Sequence, residues 1–544
     1  MTVKGSATRP NIILALVDDM GFSDLGCYGS EIDTPNLDYL AANGVRFTQM
    51  YNYARCCPTR ASLLTGLHPH QAGVGHMTDF MGEGPYQGYL NRNCITIAEA
   101  LKLVGYQTYM SGKWHVGGDG SGVKGDEKHP RPIDRGFDHY WGAKGYFHPS
   151  HIEIDDRTEP APAEDFYLTD AITDAAIAMI EQSQETGDPF FLHLAHFAPH
   201  WPLHALPEDI AKYEGRYKAG WDHLRTARHE EQKGLGLIER NWEITPRDSH
   251  APPWEKVKEQ DWEAARMAVY AAQVDRMDQG IGKVIDKLQD LKILDDTLVI
   301  FLSDNGACAE FMPSQGPIGW RGGTTPDGKT IHVGNNPLYM PGGADTYMSY
   351  DLPWANASDT PFRMYKHWIH EGGISTPLIV HWPKSVAPGQ ITDAPAHVMD
   401  IMSTCLDAAG ASYPSDYHGN PITPTEGESL MPALQNPDWR RSNPICWDHE
   451  SNAAVRLEDW KLVKDRDNKW ELYDMNNDRT EMHDLSEQMP DKVHEMENIY
   501  TEFVARAGVI SWDQHVDIMN SINPRLVSAR WHLRTQYPGW DKGY

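Results

Sequence analysis

Residues Asn11-Ile12-Ile13-Leu14-Ala15-Leu16-Val17 form an unbroken apolar run rich in β-branched side chains. A strand that is apolar at every position has no face to give to water, so it must lie in a sheet covered on both sides. Residues 297–302 read the same way, and residues 106–110, 190–197 and 376–382 are further strands. Helical patterns separate them. Residues 95–104 are amphipathic and end at Gly105; Leu168, Ile172, Ala175, Met179 and Ile180 share a face; Met267, Tyr270, Val274, Met277, Ile281, Val284 and Leu288 step by three and four. Strands alternating with helices predict an α/β fold, with a large, mixed, mostly parallel sheet flanked by helices.

Thr34-Pro35-Asn36 opens a further helix, with Thr34 as cap and Pro35 at its first position, and Gly44 closes it before a strand at 45–51. A helix is expected over 397–409, closed by Gly410. Beyond residue 425 the texture changes. Short alternating strands at 453–457, 460–463 and 470–473 precede a helix at 491–507, which predicts a small antiparallel α+β unit. The expected division is 1–424 for the α/β domain, 425–510 for the C-terminal subdomain, and a Trp-rich tail at 511–544 that docks on its own domain or supports a homo-oligomer. Three stretches lack a period. Residues 116–165 read as a long connection, 205–260 as a charged irregular insertion, and 309–362 as a functional loop.

The chain of 544 residues carries 48 Lys and Arg against 77 Asp and Glu, a net charge of −29. That excludes nucleic acid as a partner, which requires a basic face. It also means that any anionic substrate must be drawn in by local cations. The seven Cys are irregularly spaced and include no CxxC pair, so neither a disulfide framework nor a Cys-based zinc site is expected. Residues 1–9 are short and polar and lack the apolar core of a secretory signal, and no apolar run is long enough to span a bilayer. The expectation is a protein without membrane attachment, cytoplasmic, or periplasmic if a signal has been removed.

Polar residues collect just beyond four of the strands: Asp18-Asp19, Lys113 with His115, His200, and Asp304-Asn305. Each has a structural explanation alone, such as a helix cap at Asp18 or a turn at Asp304-Asn305-Gly306. In an open parallel sheet, however, the carboxyl ends of the strands converge on one crevice. Asp18, Asp19, Asp304 and Asn305 would offer it only hard oxygen ligands, suited to Ca²⁺ or Mg²⁺ rather than zinc. Arg60, Lys113 and Lys366 would add fixed positive charge for a tetrahedral oxyanion, and His115 and His200 would move protons.

The remaining motif is Cys56-Cys57-Pro58-Thr59-Arg60-Ala61-Ser62-Leu63-Leu64-Thr65-Gly66, a Cys-x-Pro-x-Arg core at the head of a helix-compatible run. Together with residues 10–21, Gly112-Lys113-Trp114-His115, Ala198-Pro199-His200-Trp201-Pro202, Ser303-Asp304-Asn305-Gly306 and the stretch from Trp354 through Lys366 to Gly373, it resembles the type I sulfatases of the alkaline phosphatase superfamily, and closely the bacterial arylsulfatases. Tyr213-Glu214-Gly215-Arg216-Tyr217 with Gly220-Trp221-Asp222 is similar to an arylsulfatase insertion. The resemblance covers most of residues 10–480.

It implies hydrolysis of aryl sulfates to a phenol or alcohol plus sulfate. Cys56 would be oxidised to formylglycine by a formylglycine-generating enzyme, and one hydroxyl of the hydrated aldehyde would attack sulfur. His200 with Lys366 would protonate the leaving oxygen. His115 would take a proton from the second hydroxyl so that sulfate is expelled. Arg60 and Lys113 would orient the diol, and Asp18, Asp19, Asp304 and Asn305 with the converted Cys56 would bind Ca²⁺ (alternatively Mg²⁺ or Mn²⁺). Two positions depart from the family pattern: Cys57 at the variable second position, read as an inert neighbour, and Thr59 where Ser is commoner. Two other readings stand beside this one: a phosphonate monoester or phosphodiester hydrolase of the same superfamily, and a non-catalytic calcium- or anion-binding member with Cys56 unmodified. Trp201, Trp320 and Trp354 are expected to line the substrate pocket.

Overall fold

The structure is a computed structural model and describes residues 9–118, 129–162, 165–239, 241–313, 322–436, 438–466 and 468–522. The run that opens the sequence is β1 (Asn11–Asp18). It is followed in chain order by β2 (Val45–Tyr51), β3 (Gln107–Gly112), β4 (His139–Ala143), β5 (His151–Ile154), β6 (Arg157–Pro160), β7 (Phe190–Pro199) and β8 (Thr297–Ser303). Two short strands, β9 (His332–Val333) and β10 (Thr346–Tyr347), pair inside a long loop. Then come β11 (Ser375–His381), β12 (Gln390–Thr392) and β13 (Ala396–His397), and a small hairpin of β14 (Asp416–Tyr417) and β15 (Asn420–Pro421).

Eleven of these form one sheet in the order β12-β2-β11-β8-β1-β7-β3-β4-β5-β6, with β13 also paired to β2. The β8-β1-β7-β3-β4 centre is parallel. β11 runs against both β2 and β8, so β2 points the same way as the parallel centre. Alternate side chains of β1 enter two cores: Ile13, Ala15 and Val17 on one side, Ile12, Leu14 and Leu16 on the other. Burial on both faces is what an all-apolar strand demands. Helix Gln260–Asp290 lays Met267, Tyr270, Val274, Met277 and Ile281 on the first side, and helices Cys56–Thr65 and Asp400–Ala408 cover the second.

The unperiodic stretches hold more order than the sequence indicates. Residues 116–165 are not only a connection: β4 extends the parallel sheet and the β5–β6 hairpin finishes its edge. These strands are four or five residues long and partly exposed, so no apolar run marks them. Residues 205–260 contain helices Pro207–Tyr213 and Gly220–Leu235. The second buries Arg225, Arg228, His229 and Gln232, and polar burial hides its period; Arg228 reaches Asp24 at 2.6 Å and Glu31 at 2.9 Å. Residues 309–362 hold β9, β10 and helix Asp351–Ser358. The helix expected over 397–409 starts later, at Asp400, whose carboxylate accepts the His397 N–H at 2.7 Å. The one expected over 95–104 is shorter, Ile97–Lys102, set by the reciprocal Thr96–Glu99 cap.

Beyond these, β16 (Ile445–His449), β17 (Asn452–Leu457), β18 (Trp460–Lys464) and β19 (Glu471–Asp474) form an antiparallel sheet. One face, with Trp447, Ala454 and Val463, joins the main core. The other, with Val455, Leu462 and Leu472, packs on Met496 and Phe503 of helix Pro490–Ala507. Of the C-terminal tail, helix Trp512–Ile522 is described, and its Met519 packs on Met81 and Tyr86 of the same chain. Trp320 and residues 523–544 lie outside the described residues.

A buried ionic cluster pins the small sheet to the large one. Lys461 Nζ lies 2.8 Å from Glu371 and 2.7 Å from Glu481, and Arg479 Nε lies 3.0 Å from Glu371. All four side chains are fully buried. Removing one charge from such a network strands its partners in a medium that solvates them poorly, at a cost of about 3–5 kcal/mol. Lys461→Met is therefore expected to lower the urea midpoint of the full chain by the equivalent of about 3 kcal/mol or more. An unchanged midpoint would show that the cluster does not hold the two sheets together.

Candidate active site

The parallel strands β8, β1, β7 and β3 are neighbours, so their carboxyl ends open on one crevice. β1 delivers Asp18 and Asp19, β3 delivers Lys113 and His115, β7 delivers His200, and β8 delivers Asp304 and Asn305. The loop after β2 places Cys56 at the head of helix Cys56–Thr65, and the loop before β11 brings Lys366. Local backbone shape aims several of these. Asp19 and His115 adopt φ of +66° and +58°, left-handed values that non-glycine residues take only where the surroundings hold them. Gly112 (φ +114°) lies so close to β7 that a Cβ would stand 1.9 Å from the Ala195 carbonyl oxygen. No other residue fits there, and the chain then turns so that Lys113 enters the crevice.

The side chains interlock. Arg60 donates twice to Asp304 Oδ2, at 3.0 and 2.7 Å, and once to the Lys113 carbonyl at 3.0 Å. Lys113 Nζ donates to Asp18 Oδ2 at 2.5 Å. Lys366 Nζ sits 2.8 Å from one Asp19 oxygen and 3.0 Å from the other. Asn305 Nδ2 donates to Asp19 Oδ1 at 2.7 Å, and His200 Nε2 lies 3.3 Å from Asp19 Oδ2. His200 Nδ1 donates to the Trp201 carbonyl at 2.5 Å. A carbonyl only accepts, so Nδ1 carries a proton and Nε2 is the nitrogen that exchanges one.

Three carboxylates thus face three permanent cations, all nearly or wholly buried. Two oxygens stay unsatisfied: Asp18 Oδ1 and Asn305 Oδ1 are buried without a hydrogen-bond partner. Buried acceptors without donors are costly, and a cation is what removes that cost. The donor set, Asp18, Asp19, Asp304 and Asn305, is oxygen only and fits a hard divalent ion. The acidities agree. Burial and the neighbouring Asp18 push Asp304 well above the carboxylate range. Burial works the same way on Asp18, but Lys113, His200 and Arg60 outweigh it and hold that group well below. Burial would lower Lys366, but Asp19 holds it well above the usual lysine value, so it stays charged.

Cys56 is buried, and its Sγ, the Cys57 Sγ and a ring nitrogen of His115 lie within 4.8 Å of one another. The two thiols are unequal. The Cys57 hydrogen bond, with help from His115 and Lys113, holds Cys56 well below the ordinary thiol value, whereas burial drives Cys57 well above it. Burial lowers His115, so its imidazole is neutral near pH 7 and able to accept a proton.

The residues expected to carry catalysis and metal binding therefore all lie at this crevice. Two neighbours escaped the sequence reading. Glu310 is buried, accepts from Trp201 Nε1 at 2.7 Å, and lies 3.4 Å from Arg55 and 3.9 Å from Lys366. It sits in the unperiodic stretch after β8, where no pattern flags a residue. Arg55 directly precedes Cys56, and that adjacency was the available signal. Trp354, expected in the pocket, is instead core: it is fully buried and packs edge-on against Trp221, Trp254 and Tyr217. Among the described residues no helix is long and apolar enough to cross a membrane.

Comparison with known proteins points the same way. The sulfatase family matches residues 10–411, and the C-terminal region of N-sulphoglucosamine sulphohydrolase matches residues 362–505. An uncharacterised sulfatase of Schizosaccharomyces pombe is 32% identical over 537 residues, covering 93% of this chain and 96% of that protein. An arylsulfatase of Klebsiella aerogenes is 32% identical over 450 residues, covering 78% of this chain and 91% of its own. The crystal structure of Ps i-CgsB superposes with a TM-score of 0.65 at 25% identity, covering 98% and 99% of the two chains. With the family match spanning the whole crevice from β1 to β11, the chain belongs to the sulfatases, hydrolases of sulfuric esters.

Proposed function

We propose that this protein hydrolyses aryl sulfate monoesters to a phenol and inorganic sulfate, with Cys56 converted to formylglycine and Ca²⁺ held by Asp18, Asp19, Asp304 and Asn305. The observation that carries the reading is the ring of Arg60, Lys113, Lys366, His115 and His200 around the head of the Cys56 helix, beside two oxygens that lack donors. The aryl preference is supported by the Klebsiella aerogenes arylsulfatase and by aromatic side chains at the crevice. The His200 and Trp201 rings lie 4.5 Å apart, Trp201 meets Tyr347 edge-on at 6.0 Å, and Phe197 lies under Lys113 Nζ at 5.5 Å.

Hydrated formylglycine at position 56 would supply an attacking hydroxyl, and a second one whose deprotonation lets sulfate leave. The calcium ion would supply positive charge to the sulfate oxygens. The chain's own residues do the rest. Lys113 and Arg60 fix the nucleophile and the carboxylates around it. Lys366 stands on the Asp19 side of the crevice, and protonated His200 presents its Nε2–H there to the leaving oxygen. His115, neutral and within reach of position 56, accepts the proton that must be removed to release sulfate.

Four outcomes are expected. Mass spectrometry of the peptide carrying Cys56, from protein made in its native host, should show loss of the thiol to the aldehyde. Cys56→Ser should lose essentially all turnover of nitrophenyl sulfate in a host that does not oxidise serine there, while Cys57→Ala keeps most of it. Wholly unmodified cysteine in active protein would defeat the formylglycine reading. Asp18→Asn should weaken calcium binding, measured by calorimetry, by about 10-fold or more, because it removes one charge from an oxygen-only set. Nitrophenyl sulfate should be turned over faster than a phenylphosphonate monoester; the reverse preference would reassign the enzyme to phosphonate or phosphodiester hydrolysis.

A further inference from the structure

Outside the crevice, four imidazoles and a carboxylate meet beneath the last described helix. His76 follows helix Pro69–Ala72, His367 follows Lys366, His449 and Glu450 form the β16–β17 corner, and His515 lies on helix Trp512–Ile522. The four histidines are 1–4% exposed, and the Glu450 side chain 8%. Ligand atoms of His76, Glu450 and His515 lie within 4.8 Å of one another, as do those of His367, His449 and Glu450, so the carboxylate is common to both groups.

The hydrogen bonds do not account for this assembly. His76 Nε2 meets Glu450 Oε1 at 2.7 Å, yet the Nδ1 atoms of His76, His367 and His449 are buried without partners. Glu450 and Ser451 hold φ of +52° and +64°, left-handed values for two non-glycine residues at the corner that presents the carboxylate. Asn452 sorts the ring roles. Its Oδ1 accepts from the Arg466 N–H at 3.0 Å, so its Nδ2 is the donor that faces His367 Nε2 at 3.3 Å. The neutral His367 proton then sits on Nδ1, 3.9 Å from Glu450 Oε2. With its Nε2 facing that donor and its Nδ1 protonated, His367 has no free lone pair to offer an ion. The nearby Arg55 is paired with Glu310 at 3.4 Å.

We propose that His76, Glu450 and His515 bind a zinc-class transition metal ion. Imidazole nitrogens with one carboxylate suit Zn²⁺ and its neighbours, in contrast to the oxygen-only set of the crevice. The ion would join a loop of the main domain, the corner of the small sheet and the terminal helix. Its donors span residues 76 to 515, so no sequence spacing marks the site.

The test uses the full chain, stripped with a chelator and then resupplied with excess Ca²⁺ to fill the crevice. Titration with Zn²⁺ should give one site per chain that Glu450→Gln and His515→Ala each weaken by about 10-fold or more. Co²⁺ should give visible d–d bands without thiolate charge-transfer absorption, which separates this site from Cys56, Cys57 and His115. Both variants should keep wild-type turnover of nitrophenyl sulfate, which verifies that they fold. Absence of Zn²⁺ binding in the wild type, binding that both variants retain unchanged, or a thiolate band on the Co²⁺ form would overturn the proposal.

Discussion

The structure depends on holding carboxyl groups out of water at the ends of β1 and β8. Asp18, Asp19 and Asp304 are 0–1% exposed. An isolated carboxylate at such depth would be protonated or would disrupt the fold. Here Lys113, Lys366 and Arg60 each bind one of them directly, and the three cations come from three separate segments. The sheet therefore does more than support the site. Only a parallel centre brings the ends of β8, β1, β7 and β3 side by side, and only with all four in place do the charges compensate.

This compensation bears on the overall charge. At −29 the chain repels anions at long range, but salt screens that field beyond about 8–10 Å. The buried guanidinium and ammonium groups act at contact range in a poorly screened medium, where one close cation outweighs many distant surface carboxylates. Three buried carboxyl groups face three buried cations across the crevice. A divalent ion would add positive charge there, as a sulfate ester requires. Glu310 moderates this excess near Lys366 and engages Arg55 and Trp201, so one carboxylate touches the cation, the residue preceding position 56 and the aromatic wall.

How much was legible in the sequence follows from the same physics. β1 and β8 were readable because burial on both faces leaves an uninterrupted apolar run. The chemistry was readable because strand ends concentrate it beside those runs. Helix Gly220–Leu235 was not, since it turns Arg225, Arg228, His229 and Gln232 inward and satisfies them with Asp24, Glu31 and backbone carbonyls. A hydrophobic period cannot report a helix whose buried face is polar. β5 and β6 were missed for the opposite reason: they are partly exposed strands at the margin of the sheet, held by backbone pairing, which leaves no mark on side-chain choice. Trp354 misled because a large aromatic near motif residues suits a pocket wall and a core equally well, and only its packing against Trp221 and Trp254 decides.

The C-terminal sheet ties these observations together. One face completes the main core while Lys461, Arg479 and Glu481 reach Glu371, which directly follows the Lys366–His370 segment. Lys366 is thus anchored from both directions: its Nζ by Asp19, and its backbone region by a buried ionic cluster whose other members are Lys461 of the small sheet and Arg479 and Glu481 just beyond it. Its backbone N–H also donates to the Ala307 carbonyl at 3.0 Å, just beyond Asn305. The small sheet therefore meets the crevice through Glu371 and Lys366 as well as meeting β2 directly, where Arg456 donates to Gln49 at 3.1 Å. The antiparallel unit thus supports Lys366 through Glu371, although none of its residues contributes a donor to the crevice.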